Sequence, residues 1–308
     1  MASERPPAAS TGGRATPTGE ERAHLVDKVS RQVGSTREAG WIVDHAIATS
    51  DDPVAVQATA GSLADRRASG EPLQYVLGTW AFRNLELAVD RRVLIPRPET
   101  EQVVEVALGE LARITSTRTP DAGPLVCVDF GTGSGAIALA LACEGASSGL
   151  PLEVWATDVS PDALDVARAN AEALASTHPG AAARVTFAQG SWFAALPDGL
   201  AHRVDLVVAN PPYVTEEEYA DLDPSVRDWE PKSALVAPRG RSGVAGMADI
   251  ETVVAGAGAW LRRSGALVVE LAPAQAYGAI DAARRAGFAR VGTARDLAGR
   301  LRMLVAER

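Results

Sequence analysis

LVCVDFGTGSGAIALALAC, Leu125 to Cys143, is the stretch on which the reading of the fold turns. A nearly unbroken apolar run, LVCVDF, meets alternating glycines, and an apolar run of helix formers, AIALALAC, follows at once. Apolar character on both faces marks a strand inside a parallel sheet. A glycine-rich turn between such a strand and a helix lets the backbone approach a nucleotide-like ligand without Cβ clashes. Glycines 131, 133 and 135 recur at every second position, whereas a turn built for a dinucleotide pyrophosphate asks for the longer GxGxxG spacing. Asp129 stands two residues before the first glycine, where a negative charge would repel a pyrophosphate and attract an ammonium group such as an amino-acid head. Asp129, Gly131, Thr132, Gly133, Ser134 and Gly135 are therefore candidate ligand-binding residues. A turn serving close packing alone is the competing reading.

Working outward, WATDVSP ends one strand later on Asp158, placed to accept hydrogen bonds from both hydroxyls of a ribose; a plain helix cap is the alternative. Ser160 and Pro161 then open a helix over Asp162 to Ala175, with Leu164, Ala167, Ala171 and Leu174 on one face. Strand-like segments recur near Leu125–Phe130, Leu152–Thr157, Arg184–Ala188, Val204–Ala209, Ala266–Leu271, Phe288–Ala294 and Leu301–Ala306, with helices between most of them. The alternation predicts an α/β protein with a doubly wound, seven-stranded, mainly parallel sheet. Only about six residues separate the last two strands, too few for a parallel crossover, so these should form an antiparallel hairpin at the sheet edge.

Upstream, residues 1–19 are rich in Pro, Ala, Gly, Ser and Thr and read as a disordered tail. Residues 20–73 read as a small helical domain: Leu25, Val29 and Val33 recur every fourth position, Trp41, Ile42 and His45 follow, and Asp52-Pro53 opens a third helix. Residues 74–90 alternate at Leu85, Leu87 and Val89 after a turn at Arg83-Asn84, which predicts a linking β-hairpin. Residues 91–308 form the sheet domain.

With 46% hydrophobic and 22% charged residues, the chain can bury a full core. Its longest apolar segment, Gly135 to Cys143, cannot span a bilayer, and the N-terminus has no basic-then-apolar signal pattern, so a cytoplasmic protein without membrane contact is expected. A net charge of −9 argues against direct nucleic-acid binding. Cys127 and Cys143 lie in apolar runs outside any CxxC pattern, and the four histidines have no partner spacing, so neither metal nor disulfide is expected.

VVANPPYV, Val207 to Val214, is the second informative stretch. Two prolines remove two backbone donors and fix φ, so the strand must stop and Asn210 stands at a rigid end. Together with the glycine turn and Asp158, this resembles the class I S-adenosylmethionine-dependent methyltransferases, whose seven strands end in an antiparallel hairpin. In such enzymes the motif serves transfer to a planar, conjugated nitrogen, and GSWF, Gly190 to Phe193, lies where adenine is held. Ser191 and Trp192 are candidates there, although Trp192 also suits an ordinary core. VLIPRPETE (Val93–Glu101), EPLQYVLG (Glu71–Gly78), DPSVRDWEP (Asp223–Pro231) and NPPY closely resemble the N5-glutamine methyltransferases of peptide-chain release factors, the PrmC/HemK family, over Glu71 to Arg308.

The resemblance implies an enzyme that uses S-adenosylmethionine, yields S-adenosylhomocysteine, needs no metal and methylates the Gly-Gly-Gln glutamine of a class 1 release factor; a monomer is expected, although the sequence does not fix the oligomeric state. Asn210, Pro211, Pro212 and Tyr213 would hold that glutamine, with Asn210 also beside the donor and Leu94 lining the pocket. A ribosomal-protein glutamine or a nucleic-acid exocyclic amine are alternative acceptors. Two positions depart from the family pattern: Ser191 replaces the usual acid, and Glu270-Leu271-Ala272 replaces the usual glutamate-x-glycine.

Overall fold

The computed structural model describes residues 17–119 and 123–308, so the expected tail lies outside the described residues up to position 16. The chain divides into two compact units: one runs to Ala81 and also takes in Asp223–Trp229, and the other comprises Phe82–Leu222 and Glu230–Arg308.

The first unit is helical: α1 (Gly19–Val33), α2 (Thr36–Thr49), α3 (Pro53–Ala68) and the short α4 (Leu73–Leu77). Its starts follow from the residues. Thr18 and Glu21 cap each other reciprocally on α1, Ser35 caps α2, and the Asp52 carboxylate accepts from Val54 and Ala55 ahead of Pro53 on α3. Leu25, Val29, Ile42, Val43, Val56 and Ala60 form its core. Arg67 ties α3 to α2 through Glu38 at 2.6 Å. The Asp223–Trp229 segment, which sequence order assigns to the sheet domain, groups with these helices and carries a short helix, Pro224–Arg227, capped by Asp223.

Two short strands follow, β1 (Thr79–Phe82) and β2 (Leu85–Ala88), paired as the hairpin expected from the alternation, with Arg83 at φ 51° in its turn. Helix α5 (Pro98–Ser116) then begins at Pro98 with Glu99 and Glu101 in its first turn, and buries Val104 and Leu111.

The main sheet comprises β3 (Leu125–Phe130), β4 (Leu152–Asp158), β5 (Val185–Gln189), β6 (Val204–Ala209), β7 (Leu261–Glu270), β8 (Arg290–Arg295) and β9 (Leu301–Glu307). Their spatial order is β5-β4-β3-β6-β7-β9-β8. Strands β3 to β7 pair in parallel, and β9 runs antiparallel to both β7 and β8. The hairpin is thus inserted with its second strand inward. Helices α6 (Ala136–Ser147) and α7 (Pro161–Leu174) complete the turns after β3 and β4; α6 is apolar almost all round because it is buried almost all round.

Strand β7 starts five residues before the apolar run that announced it, because Arg262 pairs its guanidinium with the Arg203 carbonyl at 3.0 Å and Asp205 at 3.4 Å, so charged residues join the sheet. Register puts Phe130 beside Thr157 and Ala209, Asp158 beside Gln189, and Ala209 beside Val269. The carboxyl ends of five parallel strands therefore finish along one edge, the place where open α/β sheets bind ligands.

Candidate active site

The turn after β3 holds three glycines at positive φ, Gly131 at 68°, Gly133 at 55° and Gly135 at 84°, for two different reasons. A Cβ on Gly131 or Gly133 would meet nothing within 4 Å, so those positions need the backbone conformation and leave open space above it. A Cβ on Gly135 would come within 2.9 Å of Leu139 and 3.3 Å of Ala167, so this glycine serves helix packing. Asp158, at the end of β4, accepts from Gly133 N and Ser160 N, each at 2.9 Å, which fixes its carboxylate beside the turn. Burial raises its pKa despite those donors.

Asp129 sits beneath the turn rather than on its face. It is 1% exposed, and its Oδ2 accepts from Thr132 Oγ1 at 2.7 Å and from Ala138 N at 3.2 Å, near the start of α6. Its Oδ1 has no partner, and burial pushes the carboxyl pKa up to about 7.

Trp192 adopts φ 47°, rare for so large a residue, and meets Phe130 edge-on with ring centroids 6.0 Å apart. Gly190 makes the entry to this loop possible, since a Cβ there would lie 2.8 Å from the Ala195 backbone.

At the end of β6, Asn210 Nδ2 donates to Thr100 Oγ1 at 3.2 Å, and Thr100 donates to Glu270 Oε2 at 2.7 Å. The Tyr213 hydroxyl faces Glu270 Oε1 at 3.4 Å. Downstream, Leu235 O accepts from Tyr213 N and Val214 N, and Gln275 Nε2 donates to Tyr213 O at 2.9 Å. Gly246, at φ 69°, passes so close that a Cβ would lie 2.2 Å from the Tyr213 carbonyl oxygen. Glu230 is 5% exposed; it accepts from Ile95 N at 3.0 Å and pairs with Arg97, which anchors the segment before α5.

One cavity of about 350 Å³ joins these parts. That volume falls among small-molecule clefts, roughly 300–1,000 Å³. Of the residues singled out in the sequence, Gly131, Thr132, Gly133, Ser134, Asp158, Ser191, Trp192, Asn210, Pro212 and Leu94 line it. Asp129, Gly135, Pro211 and Tyr213 are not on its wall. The Tyr213 ring packs instead against the core on one face of the sheet. Sequence reasoning gave no individual role to Thr100, Arg92, Arg97, Ser233 and Asp249 on the wall or to Glu230 behind it, and named Glu270, also behind it, only within the Glu270-Leu271-Ala272 departure. Thr100 and Glu230 lie within PRPET and DWEP, where a polar residue amid prolines was the available signal.

Cys127 and Cys143 are buried and unpaired, and burial raises both thiol pKa values, Cys143 to about 11. Among the described residues no group of three or more His, Cys, Asp or Glu side chains can hold a metal ion, and no helix is long and apolar enough to cross a membrane.

A seven-stranded sheet ending in an inserted antiparallel hairpin, with a glycine turn after one strand and a carboxylate closing the next, defines a methyltransferase. The family model described as "Methyltransferase small domain" matches residues 119–223. The chain belongs to the release factor glutamine methyltransferases. It is 38% identical over 279 residues to the "Release factor glutamine methyltransferase" of Burkholderia pseudomallei (strain K96243), covering 90% of each chain. The protein of that name from Cereibacter sphaeroides is 38% identical over 285 residues, covering 88% of this chain and 91% of the other. Its counterpart from Gloeobacter violaceus is 36% identical over 301 residues, covering 96% and 95%.

Proposed function

We propose that this protein transfers a methyl group from S-adenosylmethionine to the side-chain amide nitrogen of the glutamine in the Gly-Gly-Gln motif of a class 1 release factor. One observation carries the reading: Asn210 and Pro212 line the same cavity as Gly131–Ser134 and Asp158, so a conjugated nitrogen held at the Asn-Pro-Pro strand end can reach a donor held by the second set. The residues fit such a donor. The space above Gly131 and Gly133 admits its amino-acid end, the fixed Asp158 carboxylate retains lone pairs for ribose hydroxyls, and Ser191 and Trp192 flank the adenine. Thr132, Ser134 and Gly135 shape the turn, with Asp129 contributing its charge from beneath.

The donor supplies an electrophilic methyl on a sulfonium. What the protein must supply is orientation, because an amide lone pair is delocalised into its carbonyl. The Asn210 side-chain oxygen and the Pro211 carbonyl accept the two N–H groups of the glutamine, which turns the nitrogen lone pair toward the methyl. Pro211 and Pro212 keep those acceptors from moving, and Tyr213 anchors the motif from the core side. As the C–N bond forms and the C–S bond breaks, the nitrogen becomes acidic and its proton passes to water, leaving S-adenosylhomocysteine. The N-terminal helical unit, residues 20–73, grips the release factor and supplies binding energy remote from the chemistry. The net charge of −9 favours a protein partner over a nucleic acid. The protein acts as a monomer in the cytoplasm.

Incubating it with labelled donor and a purified release factor, then mapping the modified residue by mass spectrometry, tests the reading. Label on the Gly-Gly-Gln glutamine is expected. Label on a ribosomal protein or on RNA, with the release factor untouched, overturns it.

A further inference from the structure

The chain Glu270–Thr100–Asn210 has a direction that the mechanism above does not explain. Glu270 ends β7, is 1% exposed and lies off the cavity wall. An ionised carboxylate only accepts hydrogen bonds, so the single Thr100 hydroxyl proton goes to Glu270 Oε2, at 2.7 Å. Thr100 Oγ1 is then left with lone pairs alone, and of the two ends of the Asn210 amide only the Nδ2 group can meet it, at 3.2 Å. The Asn210 oxygen is left for the cavity.

We propose that Glu270 is a positioning residue for the acceptor nitrogen: acting through Thr100, it sets which end of the Asn210 amide faces the incoming N–H. The consequence for turnover rests on the glutamine-methylating reading; the relay itself rests on these contacts. A proton on Glu270 reverses the polarity. The carboxyl group then donates to Thr100, the Thr100 proton becomes free for Asn210 Oδ1, and the amide turns its own N–H groups toward the N–H groups it should accept.

The groups acting on Glu270 come from every side. Thr100 and the Tyr213 hydroxyl bond to it, Arg302 on β9 favours its ionised form, and Glu99 on α5 opposes it. Burial outweighs the favourable contacts and pushes its pKa up to about 7, so the relay switches on as pH rises through neutrality.

Asn84, Asn170 and Asn210 are the only asparagines in the chain, so the Asn210 side-chain NH2 pair is assignable in 15N-labelled protein without any ligand. In wild type this pair is expected to shift with one inflection near pH 7, and in Glu270→Gln the inflection should vanish. Single-turnover methylation of a release factor, at saturating donor, should fall about 10- to 100-fold in Glu270→Gln, with donor affinity changed less than about twofold, because an orienting contact and not a binding one is lost. The rate of wild type should rise through pH 7, and that limb should disappear in the variant.

Thr100→Val removes the hydroxyl and keeps the shape, so it should lose rate to a similar extent, whereas Thr100→Ser should recover most of that loss; thermal unfolding of each variant separates misfolding from misorientation. An Asn210 NH2 pair that ignores the ionisation of Glu270, or a Thr100→Val protein with the wild-type rate, overturns the proposal. A wild-type protein that leaves the release factor unmethylated sinks the functional reading, while the NMR titration still decides the relay.

Discussion

The two sides of the cavity, proposed for the donor and for the acceptor, are held together by different means. On the donor side the contacts are local: Asp129 reaches Thr132 and Ala138, 3 and 9 positions away, and Asp158 reaches back 25 positions to Gly133 across adjacent strands. On the acceptor side they are remote. Asn210 meets Thr100 across 110 positions, Thr100 meets Glu270 across 170, and Gln275 holds the Tyr213 carbonyl across 62. A glycine turn on a strand end largely organises itself, because its conformation and its partners come from one β–α unit and the end of the neighbouring strand. The Asn-Pro-Pro-Tyr segment has prolines in place of backbone donors, so its orientation is imposed by side chains from α5, β7 and the segment after it.

The contrast is open to direct attack. Gly246→Ala places a methyl group 2.2 Å from the Tyr213 carbonyl oxygen at φ 69°, whereas a methyl on Gly131 meets nothing within 4 Å. Gly246→Ala should cost about 3 kcal/mol or more in urea unfolding, from clash and backbone strain together, and Gly131→Ala only about 1 kcal/mol, from strain alone. Equal costs would mean that the acceptor segment is not clamped from outside.

Next in size is Asn210→Ala, which should keep the fold and nearly all donor affinity but lower single-turnover methylation by about 100-fold, since one preorganised acceptor is lost. Asn210→Asp retains an acceptor oxygen and should keep more activity than the alanine variant. A well-folded Asn210→Ala protein with near-normal turnover would remove the orienting role altogether.

Asp158→Ala probes the donor side. It should weaken S-adenosylmethionine binding in calorimetry by about 2 kcal/mol, the scale of a charge-assisted contact. Because the same carboxylate also receives Gly133 N and Ser160 N, a further loss of about 1 kcal/mol in unfolding free energy is expected. Unchanged donor affinity would reduce Asp158 to a helix cap.

The last test concerns pH, and each side of the site contributes one group. Asp129 and Glu270 both have folded pKa values raised to about 7, from ordinary values of 3.8 and 4.5. A raised acid binds its proton more tightly in the folded state, so its stabilising contribution is complete below the ordinary value and is lost as pH climbs to about 7. Urea unfolding of wild type minus Asp129→Asn should therefore show a stability difference that declines between about pH 4 and pH 7 and is flat above. A difference that rises with pH would show that Asp129 is held ionised by its contacts with Thr132 and the start of α6.

The same division governs what could be read in advance. The glycine turn, Asp158, the Ser160–Pro161 helix start and the antiparallel final hairpin are each specified within a few consecutive residues, and each is found in its expected element, although Gly135 and Asp129 stand off the cavity wall. Tyr213 was expected against the substrate, yet its hydroxyl turns to Glu270 and its ring joins the core, because a half-apolar ring beside a buried carboxylate loses less by facing inward. Glu270 stood out in the sequence only as the glutamate of the Glu270-Leu271-Ala272 departure, with no partner in sight. It ends an apolar strand, and only the approach of α5 gives it a partner in Thr100.

The sequence by itself thus determined the elements, the class of sheet and the turns that form part of its edge, since periodicity, caps and glycine spacing are properties of neighbouring residues. Tertiary structure alone decided how the acceptor residues are oriented. Hydrogen-bond direction around Asn210 depends on which buried group carries a proton, and that group is brought there by the order of strands in space and not by any neighbour in the chain.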